Sequence, residues 1–157
     1  MAYPIGRIVI PAVYWPWIRK VEGKENIHKN KPFIIAANHS SYFDTLLIPG
    51  IIVRIIDGKM NAWVNSSYWG NFITRAFLDM WGAIPVHVEK DKDAKKKNKA
   101  SFNMTIKYLK NNEPVMIFPE GRRNDGKLKK AYPVIARLVL AAKVPVLPCG
   151  IIGANKV

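Results

Sequence analysis

The segment Asn38-His39-Ser40-Ser41-Tyr42-Phe43-Asp44 places an imidazole and a carboxylate five residues apart, directly after a short apolar run. A histidine works as a general base when a neighbouring carboxylate fixes its tautomer and stabilises the imidazolium formed on proton uptake. Asp44 is the candidate for that neighbour of His39. In a continuous helix a five-residue step turns side chains about 140° apart at 3.6 residues per turn, so the two groups would diverge. A turn running into a helix removes the difficulty. With Ser40 or Ser41 as the helix cap, His39 lies outside the helix and Asp44 in its first turns. Capping also accounts for the serines better than a nucleophilic role does, because side chains adjacent to His39 point away from it.

A second group follows later in the chain. Phe118-Pro119-Glu120-Gly121-Arg122-Arg123 delivers a carboxylate, a glycine and two guanidinium groups directly after a predicted strand. In open α/β sheets ligands bind at the carboxyl ends of strands. Two arginines there can grip a phosphate, and a glycine lets backbone approach it closely. Taken alone, Glu120-Gly121-Arg122-Arg123 read better as a tight surface turn with solvated charges.

The elements that must position these groups alternate. Strands are predicted at residues 33–37, 60–65, 83–86, 114–118 and within 144–152, where apolar runs are bounded by turn residues. Helical spacing predicts helices at 43–55, bent near Pro49-Gly50, at 68–81, stopped by Gly82, at 100–110, and within 128–143. Residues 89–99 form a charge run that reads as a solvated loop or helix start. Strands separated by helices argue for an α/β domain with a mostly parallel sheet.

Composition narrows the partners. The 157 residues suit a single domain, and 49% hydrophobic content is enough for a real core. A formal net charge of +14 implies an anionic partner: nucleic acid, an anionic membrane or a phosphorylated substrate. The single cysteine, Cys149, excludes an internal disulfide and a cysteine-based zinc site. Runs of apolar residues are interrupted by Arg7, Arg54 or Asp57 before reaching the roughly 18 that a spanning helix needs, so no spanning helix is expected. Residues 3–18 are nevertheless apolar and aromatic, with Arg19-Lys20 behind them. That combination fits either the headgroup level of a membrane or an arm packed on the domain's own core. It lacks the charged start and small-residue cleavage site of a signal peptide.

In combination, these groups resemble the glycerolipid acyltransferase family typified by 1-acyl-glycerol-3-phosphate acyltransferases. Asn38-His39 with Asp44 resembles its N-H-x-x-x-x-D motif, and Phe118-Pro119-Glu120-Gly121 with Arg123 resembles F-P-E-G-T-R. Trp81-Gly82-Ala83-Ile84-Pro85-Val86 resembles the opening of the motif between them, and Val144-Pro145-Val146-Leu147-Pro148 the apolar fourth motif. The likeness spans roughly residues 15–152, and four motifs in order are far more specific than any one. It implies one acyltransferase domain over residues 1–157, with an apolar, membrane-facing segment at 1–20 and a short carboxyl end, hence a short or truncated member.

The resemblance also implies a mechanism. His39, oriented by Asp44, would deprotonate a glycerol hydroxyl that attacks the thioester of acyl-CoA or an acyl carrier protein. Glu120, Gly121, Arg122 and Arg123 would hold a lysophospholipid acceptor, with Arg123 on its phosphate. Neither a metal nor another cofactor is required. The expected setting is the cytoplasmic face of a membrane bearing anionic lipid, as a peripheral protein of phospholipid biosynthesis. Two stretches depart from the pattern. An acid-arginine pair that usually follows G-x-I-P-V is His87-Val88 here, with Lys90 close by as a substitute cation, and the threonine before the last arginine is Arg122. The rival reading is a non-catalytic basic module on anionic membrane or nucleic acid; the scattered basic residues and the intact His39–Asp44 spacing argue against it.

Overall fold

Five short strands share one sheet. In the computed structural model, which describes residues 12, 15–88, 93–124 and 127–156, they are β1 Ile34–Ala37, β2 Asn61–Asn65, β3 Ala83–Val86, β4 Val115–Ile117 and β5 Val146–Cys149. The order across the sheet is β3-β2-β4-β1-β5, and every neighbouring pair is parallel. Parallel neighbours require crossovers. These are the helices α1 Asp44–Ile56, α2 Phe72–Met80, α3 Ala94–Lys110 and α4 Val134–Ala142, each following the strand of the same number.

Alternation along β1 sorts the core onto two faces. Ile35 and Ala37 meet Ile48, Ile52 and Val53 of α1 together with Phe33, Met60 and Met116. Ile34 points the other way, into Ile84, Val115, Ile117 and Val144, where Leu109 of α3 and Leu138 of α4 close the layer. Continuous apolar runs are therefore needed in the central strands, as the sequence shows.

Local chemistry sets the boundaries, and several differ from expectation. α1 runs unbroken from Asp44 through Pro49 to Ile56, although proline there removes one helical hydrogen bond; the buried Ile48, Ile52 and Val53 keep the helix seated. The predicted helix at 68–81 divides: Ser66–Gly70 is a 3₁₀ turn, and Asn71 caps α2 by accepting hydrogen bonds from the amides of Ile73 (2.8 Å) and Thr74 (3.4 Å). Gly82 ends this segment at φ +70°, where a Cβ would collide with the Asn61 side chain. The lysine-rich stretch from Ala94 to Lys99 is already helical, because α3 buries Ala94, Ser101, Thr105 and Leu109 along one stripe and leaves the lysines in solvent. Residues 89–92 of the charge run, Lys90 among them, lie outside the described residues, as does most of the apolar segment at 1–20. Of that segment, Trp15–Trp17 forms a 3₁₀ turn with both tryptophans exposed. No described helix is long and apolar enough to cross a membrane.

Candidate active site

Register explains how the two motifs meet. β1 and β4 are neighbours with Ala36 opposite Ile117, and His39 and Glu120 each lie three residues beyond that pair. Both therefore leave the sheet at the same edge and the same height. The His39 amide donates to Glu120 Oε1 at 3.2 Å, and the Asn124 amide donates to the His39 carbonyl at 2.7 Å.

The His39–Asp44 contact forms in the turn that enters α1. His39 Nδ1 lies 2.9 Å from Asp44 Oδ2, and the amides of Ser40 and Ser41 donate to the same oxygen at 2.6 and 2.8 Å. The expected serine cap is not what holds this turn. Asp44, the first helical residue, reaches back to the preceding amides, while Ser41 Oγ accepts from the Phe43 amide at 3.2 Å. A carboxylate offers an acceptor where a hydroxyl would serve only one amide, and it satisfies the helix start and the imidazole together. Since Oδ2 only accepts, hydrogen-bond logic puts the imidazole proton on Nδ1 and leaves Nε2 with a free lone pair. Asp44 is fully buried, and the His39 ring stacks on Phe118 with centroids 4.0 Å apart and planes 13° apart. The ring is thus clamped in plane by Phe118 and in rotation by Asp44.

Glu120 is turned inward. Its Oε1 accepts from the His39 amide and from Asn124 Nδ2 (2.8 Å), and its Oε2 from Asn124 Nδ2 (2.7 Å) and the Lys129 amide (2.9 Å). Burial pulls this carboxyl upward in pKa, but hydrogen bonds from Asn124, the Lys129 amide and the His39 amide, with the Lys129 charge, outweigh it and hold the group below its usual value. Gly121 sits at φ +67°, and a Cβ there would come within 2.9 Å of the Tyr132 ring. Only glycine lets the loop turn there. The next two side chains, Arg122 and Arg123, are exposed, and the Arg123 guanidinium lies 3.7 Å above the Tyr42 ring. The neighbouring Tyr42 hydroxyl and partial burial raise the Tyr68 pKa, against the opposing charge of Arg123.

A cavity of about 700 Å³ opens beside these groups. His39, Tyr42, Tyr68, Gly121, Arg122 and Arg123 line it at the sheet edge, and Val53, Met60, Phe77, Leu78, Trp81 and Met116 line it among the apolar residues of α1, α2 and the sheet. It combines a long greasy wall with a cationic, imidazole-bearing rim. His87 stands apart from that wall. Val86 and Val88 line the cavity, whereas the His87 ring meets Ser66 Oγ at 2.9 Å and its amide and carbonyl are bridged by the Asn98 side chain at 2.8 Å each. Among the described residues no cluster of histidine, cysteine, aspartate or glutamate could hold a metal.

Three contributors escaped the sequence reading. Asn38 locks β1 to the end of β5, with Nδ2 donating to the Ile151 carbonyl (2.9 Å) and Oδ1 accepting the Ile151 amide (2.6 Å). It stood in the motif only as part of a pattern. Asn124 ties Glu120 to His39 but follows Arg123 with no spacing signal, and Tyr68 joins Tyr42 at the cavity rim from 26 positions further along the chain.

Fold and site together define a class: a parallel α/β sheet carrying a histidine–carboxylate pair at its carboxyl edge, beside an arginine-rimmed apolar cavity. The chain belongs to the Acyltransferase family, whose model matches residues 18–152. Over 128 residues it is 31% identical to the 1-acyl-sn-glycerol-3-phosphate acyltransferase of Bacillus subtilis (strain 168), covering 80% of this chain and 60% of that protein. Its fold matches the crystal structure of the 1-acyl-sn-glycerophosphate (LPA) acyltransferase PlsC from Thermotoga maritima with a TM-score of 0.70 and 24% identity, over 94% of this chain and 56% of that one. The chain thus spans less than two thirds of the length of either relative.

Proposed function

We propose that this chain transfers a fatty acyl group from acyl-CoA or an acyl carrier protein to the hydroxyl of a lysophospholipid, 1-acyl-glycerol 3-phosphate in the first instance, as a step of phospholipid synthesis. The observation that carries the reading is the His39–Asp44 pair opening onto the apolar cavity between Arg122, Arg123 and α2. Family membership and the name of the Bacillus subtilis relative support it.

In this reading the lone pair on His39 Nε2 takes the acceptor's hydroxyl proton as its oxygen attacks the thioester carbonyl. The imidazolium so formed is stabilised by Asp44 through the 2.9 Å contact. The tetrahedral adduct then expels the thiol sulfur, which leaves with the proton returned from Nε2. The acyl group ends on oxygen, the donor ends as a free thiol, and His39 returns to its starting state. Tyr42 holds Arg123 at the cavity rim, where a phosphate on the acceptor meets its guanidinium and that of Arg122. Glu120 and Gly121 contribute by shaping the loop that presents both arginines and by holding the His39 backbone. With Val88 at the cavity in place of a cation, phosphate recognition falls to this arginine pair.

The test is product identification with acyl-CoA and, in parallel, acyl carrier protein as donors, offered lysophosphatidate, glycerol 3-phosphate and neutral-headgroup lysolipids. Phosphatidate formed from lysophosphatidate is the expected product. Transfer to neutral-headgroup lysolipids at an equal or higher rate would contradict the phosphate reading, and no acylated product from any pairing would contradict acyl transfer.

A further inference from the structure

We infer that Lys129 is a positioning residue for recognition of the acceptor's phosphate: its ammonium fixes the peptide plane that follows Arg123, and with it the base of the Arg123 side chain. The inference rests on the lysophospholipid reading above. It starts from a single peptide group. The Asn124 amide donates to the His39 carbonyl at 2.7 Å, and Lys129 Nζ donates to the Arg123 carbonyl at 3.0 Å. Both bonds belong to the unit that joins Arg123 to Asn124. In a trans peptide the N–H and C=O point in opposite directions, so one side of this plane is tied to the loop after β1 and the other to Lys129. A rigid plane held on both sides does not swing about the line between its two Cα atoms. The backbone on either side of it is therefore set, and the Arg123 side chain starts from a fixed point.

The far end of that side chain is held as well. The Arg123 guanidinium lies 3.7 Å above the Tyr42 ring, and Tyr42 stands three residues beyond His39 in the turn that enters α1. Arg123 is thus fastened at its backbone through His39 and Lys129 and at its tip through Tyr42. A long side chain that closes on a ligand from a mobile state loses rotamer entropy on binding, whereas one already ordered does not.

Lys129 is placed to act through Arg123 and not on the ligand. Arg122 and Arg123 line the cavity, and Lys129 is not among its lining residues. Its own backbone is anchored to the strand-end motif, with its amide donating to Glu120 Oε2 at 2.9 Å and the Tyr132 amide returning to the Pro119 carbonyl at 2.8 Å. Its charge adds to the hydrogen bonds that keep the Glu120 carboxyl below its usual pKa. Sequence gives no sign of the role: Lys129 lies six residues past Arg123, in a stretch that also holds Lys127 and Lys130.

The test compares Lys129→Met, Lys129→Arg and Lys130→Met with the unaltered chain, each shown to be folded by its thermal midpoint. Two quantities are read: calorimetric binding of a short-chain lysophosphatidate kept below its micelle concentration, and the kinetics of acyl transfer to it. Lys129→Met keeps the backbone bond to Glu120 and removes only the ammonium. It is expected to weaken binding and raise the acceptor KM about five- to tenfold, with the turnover number within about twofold. Lys129→Arg still offers a donor to the Arg123 carbonyl and should restore both to within about twofold. Lys130→Met removes the same charge one residue further on and should change either by less than about twofold. Equal weakening by Lys129→Met and Lys130→Met would reduce the effect to net charge and overturn the proposal. So would a Lys129→Met variant that binds like the unaltered chain, one whose loss arginine does not rescue, or an unaltered chain that does not bind lysophosphatidate. If binding follows the expected pattern while even the unaltered chain transfers no acyl group, the acyl-transfer reading falls and the positioning role stands.

Discussion

At the scale of residues, one oxygen organises the site. Asp44 Oδ2 accepts from the His39 ring and from two backbone amides, whereas Oδ1, also buried, has no hydrogen-bond partner among the described residues. An asparagine can therefore keep its oxygen at the Oδ2 position and place its amide nitrogen at the other. Asp44→Asn is expected to leave the fold and the turn intact while removing the charge that stabilises the imidazolium. The turnover number should fall about a hundredfold or more with KM for the acceptor little changed. Steady-state kinetics beside a circular dichroism melt checks this; a wild-type turnover number would separate Asp44 from the chemistry. The pairing of His39 with Asp44 was legible in sequence because both residues sit in one turn. Their hydrogen-bond scheme was not, since the serines looked like the better caps and only the folded turn shows the carboxylate reaching back.

At the scale of elements, the site is a junction between the loops that follow β1 and β4, and Glu120 is the tie between them. Its folded pKa is below the unfolded value of 4.5, so the stability it confers is complete above that value and is lost as pH falls through the lower folded value. Glu120→Gln places an amide nitrogen among donors that need an acceptor, an arrangement costing about 1–3 kcal/mol at neutral pH. The gap between the variant and the unaltered chain is expected to narrow between neutral pH and an acidic pH well below the unfolded value of 4.5, as the glutamate takes up its proton. Urea midpoints at the two pH values measure it, and a constant gap would mean that the carboxylate's charge plays no part. Glu120 was visible in sequence as a member of a motif at a strand end. Asn124 was not, because the carbonyl its amide binds, that of His39, lies far away in sequence in the loop after β1 and comes adjacent only once β1 and β4 pair. Packing also explains the helix boundaries: burial of one stripe of α3 draws the charged residues from Ala94 onward into the helix, where charge pattern alone reads as either a solvated loop or a helix start.

At the scale of the whole molecule, two apolar layers hold the edge in place. Leu138 of α4 is fully buried against the layer that contains Ile34 and Val115, which face each other in the β1–β4 register that aligns His39 with Glu120. Leu138→Ala is expected to cost about 2–5 kcal/mol of stability, read as a lower urea midpoint, while the protein that remains folded keeps its site chemistry. A loss of less than about 1 kcal/mol would mean that this layer is not a close-packed core. The five-strand α/β plan followed from alternating apolar runs and helical spacing. Strand order did not, since β4 inserts between β1 and β2 and local sequence carries no record of that. The cavity was likewise invisible in sequence, as its wall joins residues of α1, α2 and three strands.

The most direct measurement is the initial rate of acyl transfer from acyl-CoA to lysophosphatidate by the unaltered chain and by His39→Ala, each shown to be folded. His39 lies at the cavity rim with its ring held between Asp44 and Phe118, so removing the imidazole removes the base and little else. The expected result is a loss of about 10²- to 10⁴-fold in turnover. Undiminished transfer by His39→Ala would contradict the account.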